Sequence, residues 1–170
     1  MNPKPPFESL VTNHSREILG YLWRILGDSG DAEDCLQDTF LRSFKAYKRL
    51  DGDANYRAWL YKIATNTAYT HLKKRNAVAM RTSDLSSDVT LDSPTISPDD
   101  ENRFPLEAVK SAIDNLPNKQ RSALMLRKYQ ELSYAEIGLA LNCSEESARA
   151  NVYQALKKLR EEFRDTPKDT

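Results

Sequence analysis

Arg57, Tyr61, Lys62, Asn66 and Tyr69 fall within one short stretch and interleave rings, cations and an amide. Single-stranded DNA binding needs that mixture: bases stack on rings at roughly 1–3 kcal/mol each, and cations follow the phosphates. Lys73, Lys74 and Arg75 close the stretch with a basic cluster suited to a strand or duplex backbone. A second set lies far downstream, where Ser147, Arg149, Ala150, Tyr153 and Gln154 recur at helical spacing. Arg149 can bond guanine bidentately, and Gln154 can do the same for adenine. A third set, Asp34, Gln37, Asp38, Leu41 and Lys45, mixes acids with one leucine. It reads as a docking surface for a basic partner or as an ordinary solvated face, and pattern alone favours the solvated face.

Bond-making chemistry finds no support. There is no carboxylate cluster, nucleophile triad, phosphate loop or metal-ligand set. Cys35 and Cys143 stand far apart with no CxxC pair, and the only histidines are His14 and His71. The cysteines read as buried thiols of a cytosolic protein, with no metal, cofactor or disulfide framework expected. His14 reads as a core or boundary histidine on an apolar stripe, and Trp59 as a core residue.

These sets must be carried by helices. Phe7, Leu10, Val11, His14, Ile18, Leu22 and Ile25 repeat at three and four, predicting a first helix that ends near Gly27. Asp31 is the expected cap of a second helix, whose buried face would be Leu36, Phe40, Phe44 and Tyr47. Asn55 can cap a third, with Tyr56, Leu60, Ile63 and Thr67 pointing one way. From Asn76 to Arg103 the chain turns to Ser, Thr, Asp and Pro with little apolar periodicity, which predicts a flexible linker. Pro105 restarts helix, with Leu106, Val109, Ile113 and Leu116 as its stripe, and another helix begins at Asn118. Ser133 and Glu136 form a capping box, Ser144 is the next N-cap candidate, and Ala148, Val152, Ala155, Leu156 and Leu159 make one apolar row. Two helices joined this closely describe either a helix-turn-helix or a plain αα-hairpin. Periodicity does not separate them.

The chain has 170 residues, with 25 basic and 25 acidic side chains. The neutral total hides an uneven spread. Residues 1–75 carry 12 basic and 9 acidic residues, 76–104 carry 2 and 6, and 105–170 carry 11 and 10. An acidic middle thus separates two mildly basic ends. No long apolar run suggests a membrane span, and the N-terminus lacks the apolar core of a signal peptide. The expectation is an all-α, cytoplasmic protein of two small helical domains, 1–75 and 105–170, joined by a flexible acidic linker over 76–104.

Three motifs occur in an order that matches one family. Asp-Ala-Glu-Asp-Cys-Leu-Gln-Asp-Thr-Phe-Leu (31–41) resembles sigma region 2.2, and Tyr-Arg-Ala-Trp-Leu-Tyr-Lys-Ile-Ala-Thr-Asn (56–66) resembles regions 2.3 and 2.4. Leu-Pro-Asn-Lys-Gln-Arg-Ser-Ala-Leu-Met-Leu-Arg (116–127) with Leu-Ser-Tyr-Ala-Glu-Ile (132–137) resembles region 4. The chain resembles bacterial RNA polymerase sigma factors of the extracytoplasmic-function type over about residues 7–162.

That resemblance implies a non-enzymatic polymerase subunit that recognises −35 and −10 promoter elements and melts DNA by binding energy. It implies docking of Asp34, Gln37, Asp38 and Leu41 on the clamp helices of the largest polymerase subunit. It places the −10 strand along Asp51, Asn55, Arg57, Tyr61, Lys62, Asn66, Tyr69, Lys73 and Lys74, with an extruded base near the Leu50–Asn55 loop. It leaves Lys119, Arg121, Arg127, Lys128 and Lys157 as phosphate contacts, and Ser147, Arg149, Ala150, Tyr153 and Gln154 as readers of −35 base edges. Relatives commonly carry more cations along this last row, so weak −35 binding outside the polymerase complex is expected. An anti-sigma factor is an implied partner. The alternative is a stand-alone helix-turn-helix regulator, which would need neither the acidic-plus-leucine face nor the aromatic-basic stretch.

Overall fold

The structure is a computed structural model that describes residues 3–82 and 106–164. Among the described residues there are seven helices and no strand: α1 (Phe7–Leu26), α2 (Ser29–Tyr47), α3 (Tyr56–Thr82), α4 (Leu106–Asp114), α5 (Asn118–Lys128), α6 (Tyr134–Leu141) and α7 (Glu145–Arg164). No helix among them is long and apolar enough to cross a membrane.

Local chemistry sets the helix ends. Gly27 takes the left-handed conformation (φ 74°) and returns its N–H to the Trp23 carbonyl, which stops α1 where the sequence predicts. The cap of α2 is Asp28 rather than Asp31: the Asp28 carboxylate accepts the Asp31 N–H at 2.8 Å. Asp31 is thereby left free to tie α2 to α3, through His71 at 3.2 Å and Arg75 at 3.3 Å. Asn55 caps α3 as expected, accepting the Ala58 N–H at 3.0 Å. That helix continues to Thr82, past the expected boundary at residue 75, because Ala77, Val78, Ala79 and Met80 contain no breaker. The remaining linker residues, 83–104, lie outside the described residues.

In the first bundle, α1 contributes Ile18, Tyr21, Leu22 and Ile25, and α3 contributes Leu60, Tyr61, Ala64 and Ala68. The face of α2 that is fully buried is Ala32, Cys35, Thr39 and Ser43. The larger Leu36, Phe40 and Tyr47 are only partly buried, and Phe44 is 58% exposed, contrary to its expected place in the core. Small residues allow closer packing, and the two hydroxyls satisfy themselves on α2 carbonyls at 2.6 Å. Tyr21 donates or accepts with Thr65 at 2.8 Å, so the buried phenol is partnered.

The second group packs α5, α6 and α7 around Leu124, Leu126, Leu132, Ile137, Ala148, Val152 and Ala155. The capping box forms in full: Ser133 Oγ accepts from Glu136 N at 3.2 Å, and Glu136 Oε2 accepts from Ser133 N at 2.8 Å. Ser144 accepts from Ser147 N at 3.0 Å and starts α7. Between them, Asn142 sits left-handed at φ 55°, and a Cβ on Gly138 would lie 2.7 Å from the Cys143 carbonyl oxygen. Only glycine permits that approach of turn to helix.

The two groups are packed together. α3 lies against α6, and α1 against α5, so that the buried residues of both form one continuous cluster.

Candidate nucleic-acid interface

α7 presents the candidate base-reading set outward. Ala148, Val152 and Ala155 are buried, and Ser147, Arg149, Ala150, Tyr153 and Gln154 are all exposed on the other side. Arg149 is held in place: it pairs with Glu145 at 3.6 Å and lies over the Tyr134 ring at 4.9 Å. Arg127 lies over the same ring at 4.3 Å. Tyr134 therefore gathers two cations from α5 and α7 at the start of α6. Lys119, Lys128 and Lys157 are exposed. Arg121 is not a surface cation. It is 6% exposed and donates to the Asp114 carbonyl at 3.4 Å and to Asn118 Oδ1 at 3.2 Å, while its Nε has no partner. Its place is structural, holding the α4–α5 turn.

The aromatic-basic set on α3 is divided. Lys62 is half-buried, and Asn66, Lys73, Lys74 and Asp51 are exposed. Tyr61, by contrast, is 0% exposed and donates to Gln130 Oε1 at 2.9 Å. Arg57 donates through Nη2 to the Gln130 carbonyl at 2.6 Å and through Nε to Glu17 at 2.9 Å. Asn55 reaches Glu136 at 3.3 Å, and Tyr69 donates to the Asn118 carbonyl at 2.8 Å and meets the Ser122 hydroxyl. Arg24 stacks over Tyr129 at 4.2 Å beside this seam. Burial, with the Glu17 carboxylate close by, raises the Tyr61 pKa and keeps the phenol protonated. The Ser133 N–H, then Asn55, holds Glu136 below the usual carboxylate range despite partial burial.

On α2, Asp34, Gln37, Asp38 and Leu41 are brought together. All four line one cleft of about 370 Å³ between α2 and α3, with Thr67, Thr70 and Lys74 opposite. Gln37 and Leu41 also border an apolar groove with Phe7, Phe40 and Phe44. Leu41 is 61% exposed. Asp34 and Asp38 stand beside exposed leucine and phenylalanine, and the cleft also holds Lys74 and Arg42, the latter paired with Asp38 at 3.3 Å, so the face is mixed in charge with an apolar border. Cys35 lies buried at this cleft, and burial with Asp31 and Asp38 near it pushes its thiol up to about 11, which leaves it unreactive at neutral pH. Among the described residues no group of His, Cys, Asp or Glu could hold a metal ion.

Gln130, Glu17, Tyr134 and Gly138 were not legible as functional positions. Gln130 sits where helix periodicity has stopped, and its role depends on a partner 69 positions upstream.

Comparison with known proteins gives a consistent picture. Residues 10–78 match the family described as sigma-70 region 2, and residues 106–159 match sigma-70, region 4. The chain is 31% identical over 165 residues to the RNA polymerase sigma-H factor of Pseudomonas aeruginosa, covering 89% of this chain and 83% of that one. It is 30% identical over 155 residues to the RNA polymerase sigma factor CarQ of Myxococcus xanthus, covering 91% and 87%. The fold resembles the sigma factor RpoE of Bartonella quintana, solved with the anti-sigma factor NepR (TM-score 0.72, 21% identity, 95% and 98% covered). It also resembles CnrH, solved with the cytosolic domain of CnrY (TM-score 0.70, 21% identity, 95% and 89% covered).

Proposed function

The chain belongs to the RNA polymerase sigma factors of the sigma-70 superfamily, extracytoplasmic-function type, and from that membership we propose how its surfaces divide the work. As a sigma factor it is a subunit that directs polymerase to promoters and is not itself an enzyme. The α2 cleft with Asp34, Gln37, Asp38 and Leu41 takes the clamp helices of the largest polymerase subunit. The α3 face, from Asn55 to Lys74, takes the −10 strand once it is melted. The outward row of α7 reads the −35 duplex in the major groove, with Arg149 and Gln154 on base edges and Lys119, Arg127, Lys128 and Lys157 on phosphates. Domains 1–75 and 105–170 are the two working units, and the acidic 76–104 segment connects them. Melting draws on binding energy alone, since capturing an extruded base offsets a few kcal/mol of unstacking.

The observation that carries this reading is the coexistence on one chain of an outward row of polar and cationic residues on α7 and a polar cleft on α2 bordered by exposed Leu41. A stand-alone regulator needs only the first. An anti-sigma partner in the cytoplasm is supported by the similar sigma factor RpoE of Bartonella quintana, which was solved with the anti-sigma factor NepR. Run-off transcription with purified core polymerase tests the assignment. Promoter-dependent transcripts are expected. No transcript from any promoter of its own genome, together with tight specific duplex binding by the chain alone, would overturn it.

A further inference from the structure

We propose that Lys4, on the segment that leads into α1, sets the shape of the loop between α2 and α3 and thereby the margin by which an extruded −10 base is told from the other three. The inference rests on reading that loop as the place where the base is captured. The loop, residues 48–55, has little backbone bonding of its own: Arg49, Leu50 and Ala54 return their N–H groups to Ala46, Tyr47 and Asp51. Its consecutive carbonyls are held instead by side chains from outside it. Leu50 accepts from the Lys4 ammonium at 2.8 Å. Gly52 accepts from the Tyr56 hydroxyl at 2.8 Å, with the Asp51 carbonyl 3.3 Å from the same hydroxyl. Tyr47 joins the two braces. Its carbonyl also accepts from Lys4, its ring lies 4.2 Å from the ammonium and 6.1 Å from the Tyr56 ring, and its hydroxyl donates to the Pro5 carbonyl. With the carbonyls so engaged, Asp51, Asp53 and Asn55 stand exposed.

The sequence prepares Lys4 for this place. It precedes a proline, which pushes its backbone to the extended region. Pro6 continues extended, at φ −63° and ψ 142°, until α1 begins at Phe7. A short, stiff strap therefore delivers the ammonium to the C-terminal end of α2, where carbonyls without helical partners carry partial negative charge. Lys4 donates to two of those carbonyls and rests its charge against a ring, so it is a positioning residue and not a phosphate contact. The four bases differ in the order of donors and acceptors on their edges, and reading that order needs partners held in place. A loop without its braces adapts to any base and gains little from the right one.

The test uses holoenzyme assembled from core polymerase and the full chain with Lys4→Met, which keeps the stem without the charge, Lys4→Arg, or Tyr56→Phe, which keeps the ring without the hydroxyl. The probes are fluorescein-labelled, pre-melted bubbles of a promoter mapped by run-off transcription. They carry each of the four bases, or an abasic site, at the −10 position where wild type discriminates most. The preference for the best base should shrink about three- to tenfold in Lys4→Met and in Tyr56→Phe, as loss of one hydrogen bond allows, while affinity for the abasic bubble stays within about twofold. Lys4→Arg should keep most of the preference, because a guanidinium also donates to two carbonyls. A residue that only stabilised the fold would weaken all the bubbles alike. That result, or a wild-type preference in both Lys4→Met and Tyr56→Phe, would overturn the proposal. Failure of the reading beneath it looks different: wild type itself would bind all four bases equally at every −10 position, which would remove the loop as the base site.

Discussion

Substituting Gly138 by alanine tests whether the turn between α6 and α7 is set by backbone contact. In an unobstructed helix, alanine is favoured over glycine by about 1 kcal/mol. At Gly138 the new Cβ would meet the Cys143 carbonyl oxygen at 2.7 Å, where ordinary contact begins near 3.4 Å, and the Ser144 carbon at 3.3 Å. These are backbone atoms and cannot swing aside. The Gly138 carbonyl also accepts the Cys143 N–H at 2.9 Å, so moving the turn strains a bond as well. Overpacking of this kind costs about 1–3 kcal/mol, which cancels the propensity gain and leaves a net loss of up to roughly 2 kcal/mol. Gly20 is the internal control. A Cβ there meets only the far end of the Arg24 side chain, at 3.2 Å, so Gly20→Ala should stabilise by about 0.5–1 kcal/mol. Urea titration and thermal melting of the two variants read the signs, with each kcal/mol moving Tm by roughly 2–4 °C at this size. If Gly138→Ala stabilised as much as Gly20→Ala, the close approach would not constrain the turn and the argument would fail.

Other outcomes follow from the same structure. Arg149→Ala should relax discrimination at one −35 base pair by about 1–3 kcal/mol, measured across a panel of promoter variants; an unchanged ranking would refute its base-reading role. Leu41→Ala should weaken core polymerase binding by about 1–2 kcal/mol while leaving the melting curve unchanged, because Leu41 is 61% exposed in the free chain. Glu131→Gly should stabilise by roughly 0.5–1 kcal/mol in urea, since Glu131 holds φ 57° and glycine takes that conformation without steric cost. Glu136 titrates below its ordinary value, so its contribution is fully present above about pH 5 and is lost as pH falls through the lowered value. Wild type should therefore lose stability more steeply than Glu136→Gln on acidification, and parallel curves would deny the capping box that role.

Much of this fold could be read from periodicity, because most helices are amphipathic and carry explicit caps. The Ser133–Glu136 box, the Gly27 stop and the inward row of α7 all form as expected. On α2 side-chain size is a poor guide to burial: its small Ala32, Cys35, Thr39 and Ser43 go inward and leave Phe44 exposed. α3 resists a one-faced reading because it is buried on one side by its own bundle and on another by α6. Tyr61 falls off the stripe of Leu60, Ile63 and Thr67 by spacing and is nevertheless fully buried. The seam itself was invisible in the sequence, since hydrogen bonds between Tyr61 and Gln130 leave no local pattern. Arg121 shows the converse error, a cation in a basic stretch that turns inward to bond the preceding turn.

The loop from Tyr129 to Glu131 has a consequence for how such a chain can change by inheritance. Surface connections ordinarily absorb insertions with little effect. This one is closed from the Leu126 carbonyl to the Leu132 N–H at 3.0 Å, with Gln130 directed at α3 and Glu131 bent left-handed in consecutive positions. A single inserted codon would turn Gln130 away from Tyr61 and displace Glu131 from its bend in one event. The contact of this loop with α3 is thus one genetic step from being lost, although the loop lies at the surface between two helices.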